Sequence, residues 1–330
     1  LTAQDTLFEL PPRAVAPAPA RADVVALAAE VPREVRFGTM SWSYPGWAGL
    51  VYGDKLPAKE LAAHGLAAYA KHPLLRAVEI DRSYYEALSA DALRGYAAQT
   101  PDDFQLVAKA HEDCVVRRFP MHARYGKKRG EANPRYLDAG YAADAVVEPL
   151  REGLGAKAGA LLFQFPPEDV GASPRAFADR LGAFLRRLPS GITYAVELRN
   201  ADLFSPAYVA ALEGAGAVHC HSVWPGMPHV LFQAKRVSPA ARRPLVVRWL
   251  MRDGDDYQRA SARSLPFDKI VEEDAANRAA VARLAALAAR HGVPVTVLVD
   301  NKAEGCAPES IVRLARAVAV AAGVEAPITG

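Results

Sequence analysis

Eight short apolar stretches in this chain each end on a polar or charged residue, and a helix-like segment follows each of them. They finish at Met40-Ser41, Glu79-Ile80-Asp81, Lys109, Gln164, Glu197-Leu198-Arg199, His219-Cys220-His221, Arg248 and Asp300-Asn301. Strand followed by helix, repeated, predicts a parallel sheet, because parallel neighbours need a crossover that covers the sheet face. Eight repeats predict one α/β domain, a (β/α)8 barrel of the TIM type whose strand C-termini form a single rim. Chemistry in such barrels concentrates at that rim, so side chains scattered along the sequence become one candidate site.

Strands are expected over 35–40, 76–81, 104–109, 158–165, 192–198, 217–222, 244–249 and 293–299. Helices are expected over 57–71, 90–99, 139–153, 174–187, 206–214, 273–291 and 308–321. Ser173-Pro174 and Ser205-Pro206 each set a capping hydroxyl before a proline at the first helical position. His291-Gly292 ahead of Pro294 is a helix stop. The stretch after the sixth strand reads as irregular, and the long basic connection 112–137 reads as a cover for the rim. Residues 34–325 are expected to form the barrel. Residues 1–33, interrupted by five prolines, are expected to be a flexible extension with room for a short helix near 22–30.

Side chains alternate along a strand, so each apolar pair that suits packing under helices assigns its neighbours to the interior. Val78 and Ile80 outward place Glu79 and Asp81 inward; Val196 and Leu198 outward place Glu197 and Arg199 inward. By the same rule Lys109, Gln164 and Arg248 face inward, while His219 and His221 share one face of their strand. Buried charges must be paired, and three acidic side chains here meet three basic ones. The polar residues cluster where the strands end, which favours a site over a filler network.

Bulk properties exclude little. A formal net charge of +3 on 330 residues makes no global case for nucleic acid. Cys114, Cys220 and Cys306 lie far apart without CxxC spacing, against a disulfide framework or zinc knuckle. No apolar run approaches the roughly 18 residues of a membrane span and no charged-then-apolar leader is read, so a cytoplasmic location without membrane contact is expected.

Seven motifs occur in order: Gly38-Thr39-Met40-Ser41-Trp42-Ser43-Tyr44-Pro45-Gly46-Trp47; Val78-Glu79-Ile80-Asp81 with Ser83-Tyr84-Tyr85; Phe104-Gln105-Leu106-Val107-Ala108-Lys109; Leu162-Phe163-Gln164-Phe165-Pro166-Pro167; Val196-Glu197-Leu198-Arg199; Val247-Arg248-Trp249; and Asp300-Asn301-Lys302. Over residues 35–320 their order and spacing resemble the YecE-like family, catalogued as domain of unknown function seventy-two. The resemblance implies a TIM-type barrel and no particular reaction. Asp81 and Asp300 depart from it, since the family usually carries Asn at the first position and often at the second. Each departure adds a negative charge to the rim.

The leading expectation is an enzyme, a hydrolase, lyase or isomerase without a cofactor, working by acid/base chemistry on a small polar or anionic ligand. Glu197 or Glu79 serves as base and Lys109 as acid or charge stabiliser. Arg199 and Arg248 clamp a carboxylate or phosphate, which their planar forks suit. Trp42, Tyr44, Tyr84 and Tyr85 wall the pocket, with Asp81, Gln164 and Asn301 as polar contacts. A metal-dependent hydrolase is the second expectation, with His219, His221 and Asp300 as ligands of a divalent metal. The third is a nucleic-acid-processing or nucleic-acid-binding protein. Arg117, Arg118, Arg124, Lys127, Lys128 and Arg129 crowd one loop with aromatics between them, a pattern for phosphate contact and base stacking. In the same direction, Gln4, Leu7 and Phe8 resemble the short peptide that docks DNA-metabolism proteins on the sliding clamp.

Overall fold

In a computed structural model, described over residues 14–167, 173–238 and 243–323, the chain forms a closed barrel. Its strands are β1 (Val35–Thr39), β2 (Leu75–Ile80), β3 (Gln105–Lys109), β4 (Ala158–Gln164), β5 (Tyr194–Glu197), β6 (Val218–Val223), β7 (Leu245–Trp249) and β8 (Val295–Val299). Each pairs in parallel with the next, and β8 closes on β1. The helices, in chain order, are α1 (Ala22–Glu30), α2 (Ala58–His64), α3 (Leu66–Tyr69), α4 (Arg82–Tyr85), α5 (Ala90–Ala97), α6 (Ala139–Ala142), α7 (Glu148–Leu154), α8 (Pro174–Leu185), α9 (Pro206–Ala215), α10 (Val230–Arg236), α11 (Tyr257–Ser264), α12 (Ala275–Arg290) and α13 (Ala307–Gly323). The TIM-type barrel expected from the alternation is the fold.

Strand alternation divides the buried side chains into two layers. Ala77, Val107, Leu162, Ala195, Val246 and Leu298 fill the barrel, and Val78, Leu106, Phe163, Val196, Val247 and Val297 pack outward beneath the helices. The inner set is small and apolar in the middle of the strands, so the interior is closed from below and its polar groups gather at one end. Where β1 meets β2 the register slips between Phe37 and Gly38. There the Tyr69 hydroxyl from α3 accepts from Thr39 N at 3.1 Å and donates to Ala77 O at 3.0 Å, filling the gap in the ladder. Gly38 is required at this approach, because a Cβ would lie 2.2 Å from Ala77 O.

Local chemistry explains the helix ends. Ser173 Oγ accepts from Ala176 N and Ser205 Oγ from Tyr208 N, each ahead of a proline at the first turn. The segment expected as one helix over 139–153 contains a π turn, Ala143–Val147. Pro149 cannot donate to the Ala145 carbonyl and its ring would press on it, which the wider turn accommodates. The stretch after β6, expected to be irregular, holds α10. Its Gln233 explains why: the side-chain amide donates to Ser222 O and Pro228 O and accepts from Ser222 N, binding the helix to the end of β6.

Residues 14–33 lie against the barrel. Val15 is buried, Ala18 N donates to Val51 O, and α1 packs on α13. Gln4, Leu7 and Phe8 lie outside the described residues. Among those residues no helix is long and apolar enough to cross a membrane.

Candidate functional site

Arg248, at the C-terminal end of β7, is the centre of the rim. Its Nη2 donates to Glu79 Oε1 on β2 at 3.0 Å and its Nη1 to Gln164 Oε1 on β4 at 3.0 Å; Nη1 also bonds Glu197 Oε2 on β5. Arg248 Nε and Glu79 Oε2 are 3.0 Å apart but lack hydrogen-bond alignment, so both atoms stay unsatisfied. Glu79 and Glu197 are fully buried and Arg248 nearly so. Parity and register cause this convergence. Gln164 is the lateral partner of Glu197 across β4 and β5, and four strands each aim one polar side chain inward at the same height.

A second ring of charge surrounds this centre. Lys109 at the end of β3 reaches Asp81 and stands 3.6 Å from Glu79 Oε1. Ser83 of α4 fixes that pair: its hydroxyl accepts from Lys109 N at 2.8 Å and donates to Ile80 O at 2.7 Å, tying the ends of β2 and β3. Arg199 donates from Nε to Glu197 Oε1 at 2.9 Å and stacks 3.9 Å from the Trp224 ring. Lys302 donates to Asp300 Oδ1 at 2.7 Å and lies over Tyr257 at 4.7 Å. Above them is a cavity of about 190 Å³, lined among others by Tyr44, Asp81, Tyr85, Gln164, Arg199 and Arg248.

The two central carboxylates sit in opposite electrostatic conditions. Burial raises Glu79 above the ordinary glutamate range, and Arg248 and Lys109 offset this only in part. Glu197 is equally buried, but Arg248 and Arg199 outweigh burial and hold it below that range. The Arg248 guanidinium, despite its burial, is kept firmly charged by the two carboxylates. Glu79 lines the cavity along with Lys109, whereas Glu197 lies beneath it.

Three side chains expected to contact ligand stand elsewhere. Trp42 donates from its indole to Leu61 O at 3.0 Å and faces Tyr96, outside the cavity. Tyr84 is buried under Lys109, 5.0 Å from its ammonium. Asn301 holds the scaffold, accepting from Trp47 Nε1 and Ala307 N. Conversely Trp224, Tyr257 and Leu250 line the cavity without having been singled out, and Met40, Ser41 and Lys302, named as strand-end or motif residues without a role, line it too. Trp224 and Leu250 follow from parity, two residues beyond Ser222 and Arg248. Tyr257 carries no such signal, since α11 folds back over the rim from a long loop.

The metal alternative is overturned for its histidines. His219 and His221 point outward from β6, away from Asp300, because the interior parity of that strand belongs to Val218 and Cys220. Burial pushes the pKa of His219 down to about 3, so the ring is neutral; with Nε2 donating to Gln233 Oε1 at 3.0 Å, Nδ1 is left to accept from Tyr208 at 2.9 Å. Burial likewise lowers His221 to about 4. Among the described residues no three His, Cys, Asp or Glu side chains converge to hold a metal ion. At the rim, Glu79, Asp81, Glu197 and Asp300 each already face a lysine or arginine.

The basic loop lies beside the cavity mouth. Arg124 bonds Glu112 and stacks 4.8 Å from the ring of Tyr85. Arg118 bonds Gly130 O, Lys128 lies over Phe119, and Arg129 donates to Gly126 O at 2.9 Å. Lys127 is exposed and Arg117 half-buried.

No curated protein matches the chain. Among solved structures it is similar to a DUF72 family protein from Enterococcus faecalis V583, with 16% identity, a TM-score of 0.58, and coverage of 88% of this chain and 96% of that one. It is also similar to a DUF72 family protein from Thermotoga maritima MSB8, with 17% identity, a TM-score of 0.55, and coverage of 86% and 98%. At such identities the likeness speaks for the fold. The family model described as "Protein of unknown function DUF72" matches residues 36–329, and the chain belongs to that family.

Proposed function

We propose that the rim cavity is an acid/base centre for a small, singly charged carboxylate substrate, in which Glu79 exchanges the proton. One observation carries this reading. Two carboxylates share the guanidinium of Arg248, their acidities move apart, and the one moved upward is the one in the lining of the cavity. Carboxylates separated in this way are suited to different tasks. Glu79, moved upward, is the carboxyl suited to hold and hand over a proton, and Glu197, moved downward, stays ionised as a fixed charge.

The cations divide in the same manner. The fork of Arg248 is already taken by Glu79, Glu197 and Gln164, so it sets the field and holds the two acids apart. Lys109, Arg199 and Lys302 remain to meet the substrate from the wall of the cavity. Four cations at the rim face four carboxylates: Lys109, Arg199, Arg248 and Lys302 against Glu79, Asp81, Glu197 and Asp300. A proton on Glu79 leaves one positive charge unbalanced, which favours a monoanion over a phosphate dianion. No step of this reading needs a metal.

The test is a pH series of monocarboxylate binding, with acetate and lactate as probes, alongside an infrared titration of the Glu79 carboxyl assigned by Glu79→Gln. Binding should weaken as pH rises and Glu79 ionises, and Glu79→Gln should remove that dependence. Binding that strengthens with pH would reject the assignment.

A second reading has its own support. Arg118, Lys127, Lys128 and Arg129 are exposed on the loop whose Arg124 covers Tyr85 at the cavity mouth. Such a surface suits a nucleic-acid backbone passing the rim. Single-stranded DNA affinity that falls steeply with salt, with a shallower slope in Lys127→Ala/Lys128→Ala, is the expected result; salt-insensitive or absent binding removes this reading.

A further inference from the structure

A groove of about 690 Å³ lies between α2 and α5 on the β1–β2 side of the rim. It adjoins the cavity, for Ser41, Asp81 and Tyr85 line both hollows. A ligand that fills the cavity and extends past Asp81 therefore emerges between these two helices. The groove differs from the cavity in chemistry. Tyr85, 53% exposed, and the edge-to-face pair Trp42 and Tyr96 supply aromatic surface. At its edge Arg82 is paired with Glu86 and Asp81 with Lys109, Lys59 of α2 adds an ammonium, and Ser43 and Gln99 add neutral polar groups.

Gly95 is part of the groove wall. It sits inside α5, where glycine weakens a helix relative to alanine, yet no packing requires it. A Cβ there would meet no atom within 4 Å, and the residue lines the groove. The helix thus carries a weak residue where a side chain would project into the groove.

We infer that the groove is a second subsite of the rim centre, receiving a neutral hydroxylated ring of the glycosyl class joined to the anionic head in the cavity. Aromatic faces take the apolar C–H surface of such a ring, and Ser43, Asp81 and Gln99 meet its hydroxyls. The inference rests on the carboxylate reading for the head alone; the ring is assigned from the groove.

Calorimetric titration with acetate, methyl glucoside and glucuronate separates the two. Wild-type protein should bind glucuronate at least ~10-fold tighter than acetate, the usual worth of a few added contacts. Gly95→Phe, which fills the groove, should erase that advantage and abolish methyl glucoside binding, with acetate affinity unchanged. Gly95→Ala adds one methyl group, strengthens α5 and should keep the advantage, which guards against a folding artefact. Glucuronate no tighter than acetate together with no methyl glucoside binding, or an advantage that survives Gly95→Phe, overturns the subsite. Methyl glucoside binding that Gly95→Phe removes, without any acetate binding, leaves the subsite standing and sinks the carboxylate reading.

Discussion

Two buried polar clusters stand back to back across the wall of this barrel, and only one resembles a site. Inside, Glu79, Glu197 and Arg248 are ionisable groups bonded together with the Gln164 amide, Glu79 Oε2 and Arg248 Nε have no aligned hydrogen bond, and Glu79, Gln164 and Arg248 line a cavity. Outside, Tyr208, His219 and Gln233 form a neutral chain in which both nitrogens of His219 are bonded and the pKa of the ring has fallen far below neutrality. Burial of polar residues is common to both. Both clusters border a hollow, so ionisable groups of unequal acidity are what separate a place suited to chemistry from a place suited to holding α9 and α10 on β6.

The comparison breaks first at Arg248. Arg248→Met should cost about 3–5 kcal/mol in urea unfolding, because two buried carboxylates lose their shared counter-charge. A loss under 1 kcal/mol would mean that the inner cluster is solvated and no more special than the outer one.

Next in size is the pH dependence. The folded protein keeps the Glu79 proton after the unfolded chain has released its own, so the Glu79 contribution to stability is full below the ordinary glutamate range. It declines as pH rises through the raised value. Glu197 behaves oppositely: its contribution is present above the ordinary range and is lost as pH falls toward the lowered value. Urea midpoints measured across pH should show the upper slope flattened in Glu79→Gln and the lower one in Glu197→Gln. Each flattening is worth about 1.4 kcal/mol per pH unit of its window.

On the outer face, Tyr208→Phe should cost about 1–2 kcal/mol by stranding His219 Nδ1, with monocarboxylate binding intact. A change in binding would join the two clusters into one functional unit. Smallest is Asp81→Asn. Its carboxylate is about half exposed beside Lys109, so stability should move by no more than about 0.5 kcal/mol in thermal melts.

Parity made much of this legible from the chain alone. Val78 and Ile80 are unambiguous outward residues, and so are Phe163 and Phe165, which fixes Glu79 and Gln164 inward. β6 lacked such a marker. Its alternation sets Val218 and Cys220 against two histidines, and apolar residues that usually point outward here line the inside. The histidines could be read correctly only with Tyr208 and Gln233 in view, two residues brought to β6 by separate helices. α10 was hidden behind Pro225, Gly226 and Pro228, because its anchor is a tertiary bond from Gln233 and not a strong local cap. Asn301 looked like a rim contact from its place after β8, but the chain turns there and sends its amide down to Trp47.

The Tyr69 hydroxyl has a reach well beyond its own helix. It staples the slipped seam of β1 and β2, and that seam carries Ser41 and Asp81, the residues that separate the two hollows. A phenylalanine at position 69 would touch neither hollow yet would loosen the partition between them. Drift in this family could therefore retune how far a ligand threads from head to tail without altering a single residue that meets it.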